Sequence, residues 1–280
     1  MPKRVPGRIL GVDFSGANDA GKKIWIAEGK RGRGNRLELL DLRPASALPE
    51  SGKAPAIAIA ALARHVIGQP DTIAGLDFPF TLPKAVIDTP NWEDFVTSFA
   101  ARFGDPDAFR QWALRRADGR EIRRAADRAA KTPFNSYNLR IYRQTWWGIA
   151  HLLGPLLVSG AAVIRPYQPL PARPHPILIE ACPASSLKGI GFYPAYKGRS
   201  GAHRLERKAV LKRLIDTGLI DRPPPRIQRI LLDNIGGDAL DAVIAAIATA
   251  QAGIEVEPDP DQRIEGIIYA SLHGRRALFS

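Results

Sequence analysis

The chain has 280 residues, 45% of them hydrophobic, a composition that predicts a folded protein with a sizeable core and excludes a disordered chain. A single cysteine excludes an internal disulfide framework and a cysteine-rich zinc site. The 40 lysines and arginines outnumber the 28 acidic residues, and the net charge of +12 favours a polyanionic partner such as nucleic acid. The sequence contains no apolar run of about 18 residues and no signal-peptide pattern, so we expect a cytoplasmic protein without a membrane span.

The first part of the chain predicts the opening of a mixed α/β sheet. Strand-like patterns occupy residues 8–14, 23–28 and 36–42, and their short connections predict an antiparallel meander. A helix is predicted over 56–68 and a fourth strand over 71–80. Three strands, a helix and a strand are not the repeating unit of a parallel barrel.

The middle of the chain, residues 84–160, is rich in arginine and predicts several helices inserted into a single domain spanning 1–280. Some of its arginines lie near helical spacing, typical either of a solvated face or of a surface that follows a phosphate backbone: Arg115, Arg116, Arg120, Arg123, Arg124 and Arg128. Four of its aromatic residues belong either to the core or to a surface that stacks on bases: Tyr137, Tyr142, Trp146 and Trp147.

The last part of the chain returns to strands and then to helices. Strands are predicted over 161–167 and 176–183, followed by a helix over 202–217. After the linker RPPPR, a further helical stretch ends in the apolar segment 236–253. Residues 265–272 predict a last strand.

Carboxylates recur at the ends of the predicted strands. Asp13 and Asp77 lie in the similar strings GVDF and GLDF, and Glu180 lies near the end of a later strand. In open α/β sheets, ligands collect beyond the strand ends. The late helix adds Asp238 and Asp241, three residues apart and therefore on one face. Capping of the helix is the alternative for these two, and pairing with a buried arginine is the alternative for Glu180.

If these carboxylates converge, their repulsion must be offset. Two carboxylates about 4 Å apart repel by roughly 4 kcal/mol at an effective dielectric constant near 20. Oxygen ligands select Mg²⁺ or Mn²⁺ over zinc, and such ions can activate water in phosphodiester hydrolysis. The predicted metal ligands are Asp13, Asp77, Asp238 and Asp241, with Glu180 as a further catalytic candidate. Candidates for substrate binding are Ser15, Lys22, Lys197 and Arg199.

The order of these motifs resembles the ribonuclease H-like fold. GVDFSGA, GLDFPF, IEACPAS and GGDALDAVIAA, in that order, resemble the DUF429 family of predicted ribonuclease H-like nucleases. DALDA is similar to the late helix of RuvC-type Holliday-junction resolvases. The resemblance implies that Asp13 and Asp77 are strand-borne metal ligands and that Asp238 and Asp241 are helix-borne ones. It also implies a metal-dependent nuclease acting on DNA or RNA, and a resolvase-like activity would imply a homodimer.

Other interpretations stay open. Residues 16–23 fit the string G-x-x-x-x-G-K of a phosphate-binding loop, but a strand follows instead of a helix, so we predict a hairpin. The first strand, ending on an aspartate, is also typical of actin-like ATP-dependent phosphotransferases. A nucleic-acid-binding module that retains the fold without catalysis is the non-enzymatic alternative.

Overall fold

The computed structural model describes residues 6–272, so residues 1–5 and 273–280 of the predicted domain lie outside the described residues. The strands are β1 (Arg8–Asp13), β2 (Trp25–Arg31), β3 (Leu37–Pro44), β4 (Thr72–Asp77), β5 (Val163–Ile164) and β6 (Ile177–Glu180). They form one sheet in the order β3-β2-β1-β4-β6-β5. The first three strands pair antiparallel, and the others continue the sheet parallel to β1. This confirms the predicted mixed α/β sheet of the ribonuclease H-like type.

Helices flank the sheet. They are α1 (Ala20–Lys23), α2 (Pro55–Ile67), α3 (Trp92–Arg102), α4 (Pro106–Arg116), α5 (Ala125–Ala130), α6 (Tyr142–Gly148), α7 (Gly154–Ser159), α8 (Pro183–Gly189), α9 (Gly201–Asp216), α10 (Pro225–Asp233), α11 (Asp238–Gln251) and α12 (Gln262–Glu265). The helices predicted over 56–68, 202–217 and 236–253 are confirmed as α2, α9 and α11, and the region 84–160 contains α3 to α7. No helix within residues 6–272 is long and apolar enough to cross a bilayer.

The two faces of the sheet carry separate apolar cores. Leu10, Val12 and Leu76 belong to the core that α2, α3 and α6 cover. Ile9 and Ile73 belong to the core beneath α11. This is the two-residue alternation of a strand, which decides which face each side chain reaches.

Two glycines let α11 lie directly on the sheet. A Cβ atom at Gly11 would overlap with the backbone of Ala242 and Ala246, and one at Gly75 would overlap with the side chain of Thr249. Because alternate strand residues share a face, the aspartate two positions after each glycine points toward the same side as α11. The repeated Gly-x-Asp string therefore places a carboxylate near the start of this helix from each of two strands.

The predicted last strand over 265–272 does not form. The chain turns at Gly266, with φ of +79°, directly after α12. It then makes a single bridge, between Ile268 and Glu180, instead of a ladder. Apolar residues of this segment instead pack on the core beneath α11, where Tyr269 is buried.

Three other segments differ from their predictions. The strand predicted over 161–167 is shortened to β5, because Pro166 has no N–H to continue the ladder. The connection over 16–23 does join an antiparallel pair, but it contains the single helical turn α1. The helical stretch after RPPPR divides into α10 and α11, since Gly237 adopts a left-handed φ of +80°.

Candidate active site

Asp13 and Asp77 form the floor of a carboxylate cluster. They are the last residues of β1 and β4 and are direct partners in the parallel register. Neighbouring strands lie about 4.8 Å apart, so the two carboxyl groups lie side by side, and each acts on the pKa of the other. The end of each apolar strand thus presents an acid to its neighbour, as the sequence pattern predicts.

Asp238 and Asp241 reach the cluster from the first turn of α11. Asp241 is only 2% exposed and lies one turn inside the helix. Asp238 is the first helical residue, and the cap position belongs to Gly237. Asn234 accepts the hydrogen bond from the N–H of Ala239 at 3.2 Å. Neither aspartate is therefore a hydrogen-bonded cap, although both negative charges suit the positive end of the helix dipole.

The four carboxylates act on one another electrostatically. Burial, followed by the charges of Asp241 and Asp77, raises the pKa of Asp13 well above its ordinary value. Burial and the charge of Asp241 raise the pKa of Asp77 to about 7. Burial also raises the pKa of Asp238, with Asp241 contributing in the same direction. Close carboxylates with raised pKa values indicate a site that favours a proton or a cation.

Both oxygens of Asp241 accept hydrogen bonds from one loop. The hydroxyl of Tyr196 donates to Oδ1 at 2.5 Å. The ammonium of Lys197 lies 2.5 Å from Oδ2. Burial alone would lower the pKa of Lys197, but the charges of Asp241 and Asp13 raise it above its ordinary value. Lys197 is therefore charged, as its role as a predicted substrate contact requires, and it compensates part of the cluster.

A buried arginine holds this loop in place. Arg207 of α9 is 2% exposed. Its Nη1 donates to the carbonyls of Tyr196 at 2.7 Å and Gly198 at 3.0 Å, and its Nε donates to the carbonyl of Leu232 at 2.8 Å. The backbone on either side of Lys197 is thereby fixed. Sequence reasoning missed Tyr196 and Arg207, because nothing in their local pattern indicates which distant groups they contact.

Glu180 is not brought into the cluster. It lies beside Leu76 in the register, one residue short of Asp77, so its side chain points to the opposite face of the sheet. There Arg124 donates to both of its oxygens, at 2.5 and 2.8 Å, and also pairs with Asp127 at 2.8 Å. The buried pairing with an arginine, predicted as the alternative, is the arrangement observed.

The predicted substrate contacts differ in what connects them to the cluster. Lys22 and Lys23 are both exposed on α1, and the charge of Lys23 acts on Asp238. Arg199 is exposed two residues after Lys197. Ser15 lies two residues beyond β1, where its hydroxyl accepts from a backbone N–H at 3.3 Å. Lys23 and Lys197 therefore form a basic rim beside the acids, whereas Ser15, Lys22 and Arg199 are near to these elements in the chain.

The helical region 84–160 also borders the site. A Cβ atom at Gly16 would overlap with the backbone of Arg143 and Gln144, so the loop after β1 lies directly on α6. The side chain of Gln144 donates to the backbone carbonyl of Asp77 at 3.2 Å. The site is therefore walled on one side by this region, a contact that the sequence did not reveal.

The arginines and aromatic residues of this region divide between surface and core. Arg124 is fully buried in the ion pairs described above, whereas the others of the predicted series are exposed: Arg115, Arg116, Arg120, Arg123 and Arg128. Tyr137, Tyr142 and Trp146 are buried, which confirms the core alternative for them. An exposed aromatic near the acids is instead Tyr193, 46% exposed, with its ring centroid 6.3 Å from that of Tyr196.

The donor chemistry of the cluster suits a hard divalent cation, because all four predicted ligands are carboxylates. Within residues 6–272, however, no three His, Cys, Asp or Glu side chains stand at the spacing that one metal ion requires. Both oxygens of Asp241 are already in contact with other groups, Tyr196 and Lys197. The side chains would have to rearrange to share an ion.

Comparison with known proteins gives no relative. No protein-family model matches the chain, and neither a curated protein nor a solved structure matches it. The likeness to ribonuclease H-like proteins therefore depends on the sequence motifs and on the order of the strands.

Proposed function

We propose that this protein is a divalent-metal-dependent nuclease that hydrolyses phosphodiester bonds. The observation that carries the proposal is the convergence of four carboxylates, Asp13, Asp77, Asp238 and Asp241, at the edge of a ribonuclease H-like sheet. These four residues would hold Mg²⁺ or Mn²⁺. Bound there, the metal would supply an activated water and stabilise the leaving oxygen.

The surroundings of the cluster support a nucleic acid as the substrate. The net charge of +12 attracts polyanions, and Lys23 and Lys197 concentrate positive charge beside the acids. Lys197 would neutralise and orient a phosphate at the opening. The exposed ring of Tyr193 is in position to stack on a neighbouring base.

One observation favours a second candidate, a nucleic-acid-binding module without catalysis. No three acidic side chains in the described part of the chain stand at the spacing of one metal ion. A protein of this kind would use the same basic rim but would bind nucleic acid equally well with and without divalent cations.

Calorimetric titration with Mn²⁺ separates the two candidates. We expect saturable binding to the parent protein and its loss in Asp13→Asn, with Asp118→Asn as the matched control because Asp118 is exposed and remote from the cluster. Labelled single-stranded DNA, duplex DNA and RNA are then incubated with the protein in Mn²⁺ or in EDTA. Cleavage in Mn²⁺ that Asp13→Asn abolishes supports the nuclease.

Binding of oligonucleotide with no Mn²⁺ uptake and no cleavage would instead favour the binding module. Melting temperatures with ATP alone and with Mn²⁺ alone check the phosphotransferase alternative, because a ligand stabilises the protein that it binds. A shift with ATP alone would contradict the nuclease proposal.

A further inference from the structure

Lys197 is the cation nearest to Asp241 among the ion pairs described for that residue. Its ammonium lies 2.5 Å from Oδ2 of Asp241, and its charge also acts on Asp13, Asp77 and Asp238. We propose that the ammonium of Lys197 compensates the negative charge of the acids in the metal-free protein. A divalent metal ion can then bind the acids only when the ammonium leaves Asp241. This inference rests on the metal site of the proposed function.

The position of Lys197 is built by the fold. Arg207 fixes the carbonyls of Tyr196 and Gly198 on either side of the lysine. The N–H of Gly198 also donates to the carbonyl of Ile235 at 2.8 Å, in the turn that leads into α11. The backbone of Lys197 is therefore held against the start of α11, and this position directs the ammonium toward the acids.

The packing of the turn strengthens this arrangement. A Cβ atom at Gly237 would lie about 3.0–3.1 Å from the ring of Tyr196 and from Cγ of Lys197, so the turn and the lysine stem are in close contact. A side chain at position 237 would press on the lysine stem, and the left-handed φ of +80° also favours glycine there. The ammonium also lies 5.8 Å from the ring centroid of Tyr196, close enough for a cation–π interaction.

Exclusion of one cation by the other follows from geometry and charge. A magnesium ion and a carboxylate oxygen lie about 2.0–2.1 Å apart, so an ion on Oδ2 of Asp241 would lie within about 4.6 Å of the ammonium, which is 2.5 Å from the same oxygen. Like charges at this separation in a buried site repel strongly. The Lys197 side chain is about half exposed, with 53% relative accessibility, so it is not enclosed on every side by the protein.

The released ammonium would face the phosphate of a bound nucleic acid. Metal binding frees the lysine, and a phosphate that pairs with the lysine keeps it away from Asp241. The two ligands would therefore strengthen each other's binding, as linkage requires of any pair coupled through one group.

Calorimetry with Mn²⁺ tests the exclusion. We expect Lys197→Met to bind Mn²⁺ at least tenfold more tightly than the parent, and Lys197→Arg to bind it no more tightly than the parent because the charge remains. Lys212→Met is the matched control. Lys212 is exposed on α9, and its described ion pair is with Asp216, one turn along the same helix. Equal or weaker binding by Lys197→Met, with the control unchanged, would overturn the proposal.

A second measurement does not need the metal. In EDTA, a double-mutant cycle between Lys197→Met and Asp241→Asn compares melting temperatures. We expect Lys197→Met alone to lower the melting temperature at pH 8 and to have less effect when Asp241→Asn is already present. Independent effects of the two substitutions would overturn the role of the lysine as the compensating cation.

The outcomes separate this inference from the proposed function. Equal Mn²⁺ affinities of parent and Lys197→Met, together with metal-dependent cleavage by the parent, would leave the nuclease standing and remove the exclusion. Tighter Mn²⁺ binding by Lys197→Met, with no cleavage of any nucleic acid by the parent, would support the exclusion and remove the nuclease. If neither protein takes up Mn²⁺, both are refuted.

Discussion

Asp13 and Asp77 are direct partners across two parallel strands, and each follows by two residues a glycine on which α11 rests. The acids and the glycines therefore share one face of the sheet. The arrangement links the carboxylate cluster to packing, because the glycines admit the helix that carries the other two carboxylates. It also yields a direct test of the packing.

Gly11→Ala should destabilise the fold and disturb the site. The new Cβ atom would overlap with the backbone of α11 at Ala242 and Ala246, which cannot move aside as a flexible side chain can. We expect a loss of about 2–3 kcal/mol in the free energy of unfolding, measured by urea denaturation. Gly104→Ala serves as the control, since nothing lies within 4 Å of an added Cβ there. Equal effects of both substitutions would contradict this account of the packing.

The stability of the protein in EDTA should fall as the pH rises from about 4 to about 7. The pKa of Asp77 is raised by burial and by Asp241 from 3.8 to about 7. A raised pKa in the folded state contributes stability that is complete below the pKa of the unfolded chain and is lost on passing the folded value. We expect a loss on the order of 2 kcal/mol over this range.

Asp77→Asn should flatten this dependence and raise the melting temperature at pH 8 in EDTA, because a neutral amide needs no proton. Melting curves between pH 4 and 8 check both proteins. The observation that parent and variant lose stability in parallel would show that other groups control the pH dependence.

Glu180 should behave as a structural residue. Arg124→Met would leave the carboxylates of Glu180 and Asp127 buried without their partner, so we expect a loss of about 3–5 kcal/mol. Adding Glu180→Gln to Arg124→Met should recover part of the lost stability, because a neutral amide is buried in place of an unpaired carboxylate. The exposed Arg120 provides the control, with an expected effect of Arg120→Met below about 0.5 kcal/mol.

Mn²⁺ affinity adds a second readout for Glu180. Glu180→Gln, if folded, should keep the Mn²⁺ affinity of the parent, whereas Asp77→Asn should lose it. Loss of Mn²⁺ binding in folded Glu180→Gln would return this residue to the list of metal ligands.

Tyr193→Ala should weaken the binding of a single-stranded oligonucleotide about 5- to 100-fold, the range expected for one stacked base. Fluorescence anisotropy in EDTA measures this without cleavage, and Tyr193→Phe should retain most of the affinity. Val158→Ala is the control, since Val158 is likewise an exposed apolar residue and belongs to α7, which packs on α3. An unchanged affinity of Tyr193→Ala would exclude stacking at this ring.

The sequence reveals the strand acids more readily than their partners. Asp13 and Asp77 each end an apolar run, and this pattern predicts the end of a strand from the local sequence alone. Glu180 also ends such a run, yet it faces the other side of the sheet, because the stagger between β4 and β6 decides its direction. That stagger depends on contacts far apart in the chain.

The loop that completes the site shows a similar limit. Lys197 can be picked out as a basic residue in a flexible segment, but its contact with Asp241 depends on Arg207, which lies in another helix. Tyr142 and Trp146 show a related limit, since aromatic density alone leaves both core packing and base stacking open. Solvent exposure, which separates the two, is a property of the fold.

The contact of α11 with Gly11 and Gly75 has a consequence for how this protein can diverge. At Gly11 the gap between the helix and the strand is set by main-chain atoms of Ala242 and Ala246, and at Gly75 it is set by the side chain of Thr249. A larger residue at either glycine would push the helix away from the strand ends. Two small residues and one threonine therefore control how far Asp13 and Asp77 lie from the aspartates of α11, so tolerance to substitution should be lowest at these buried positions and not at the acids' exposed neighbours.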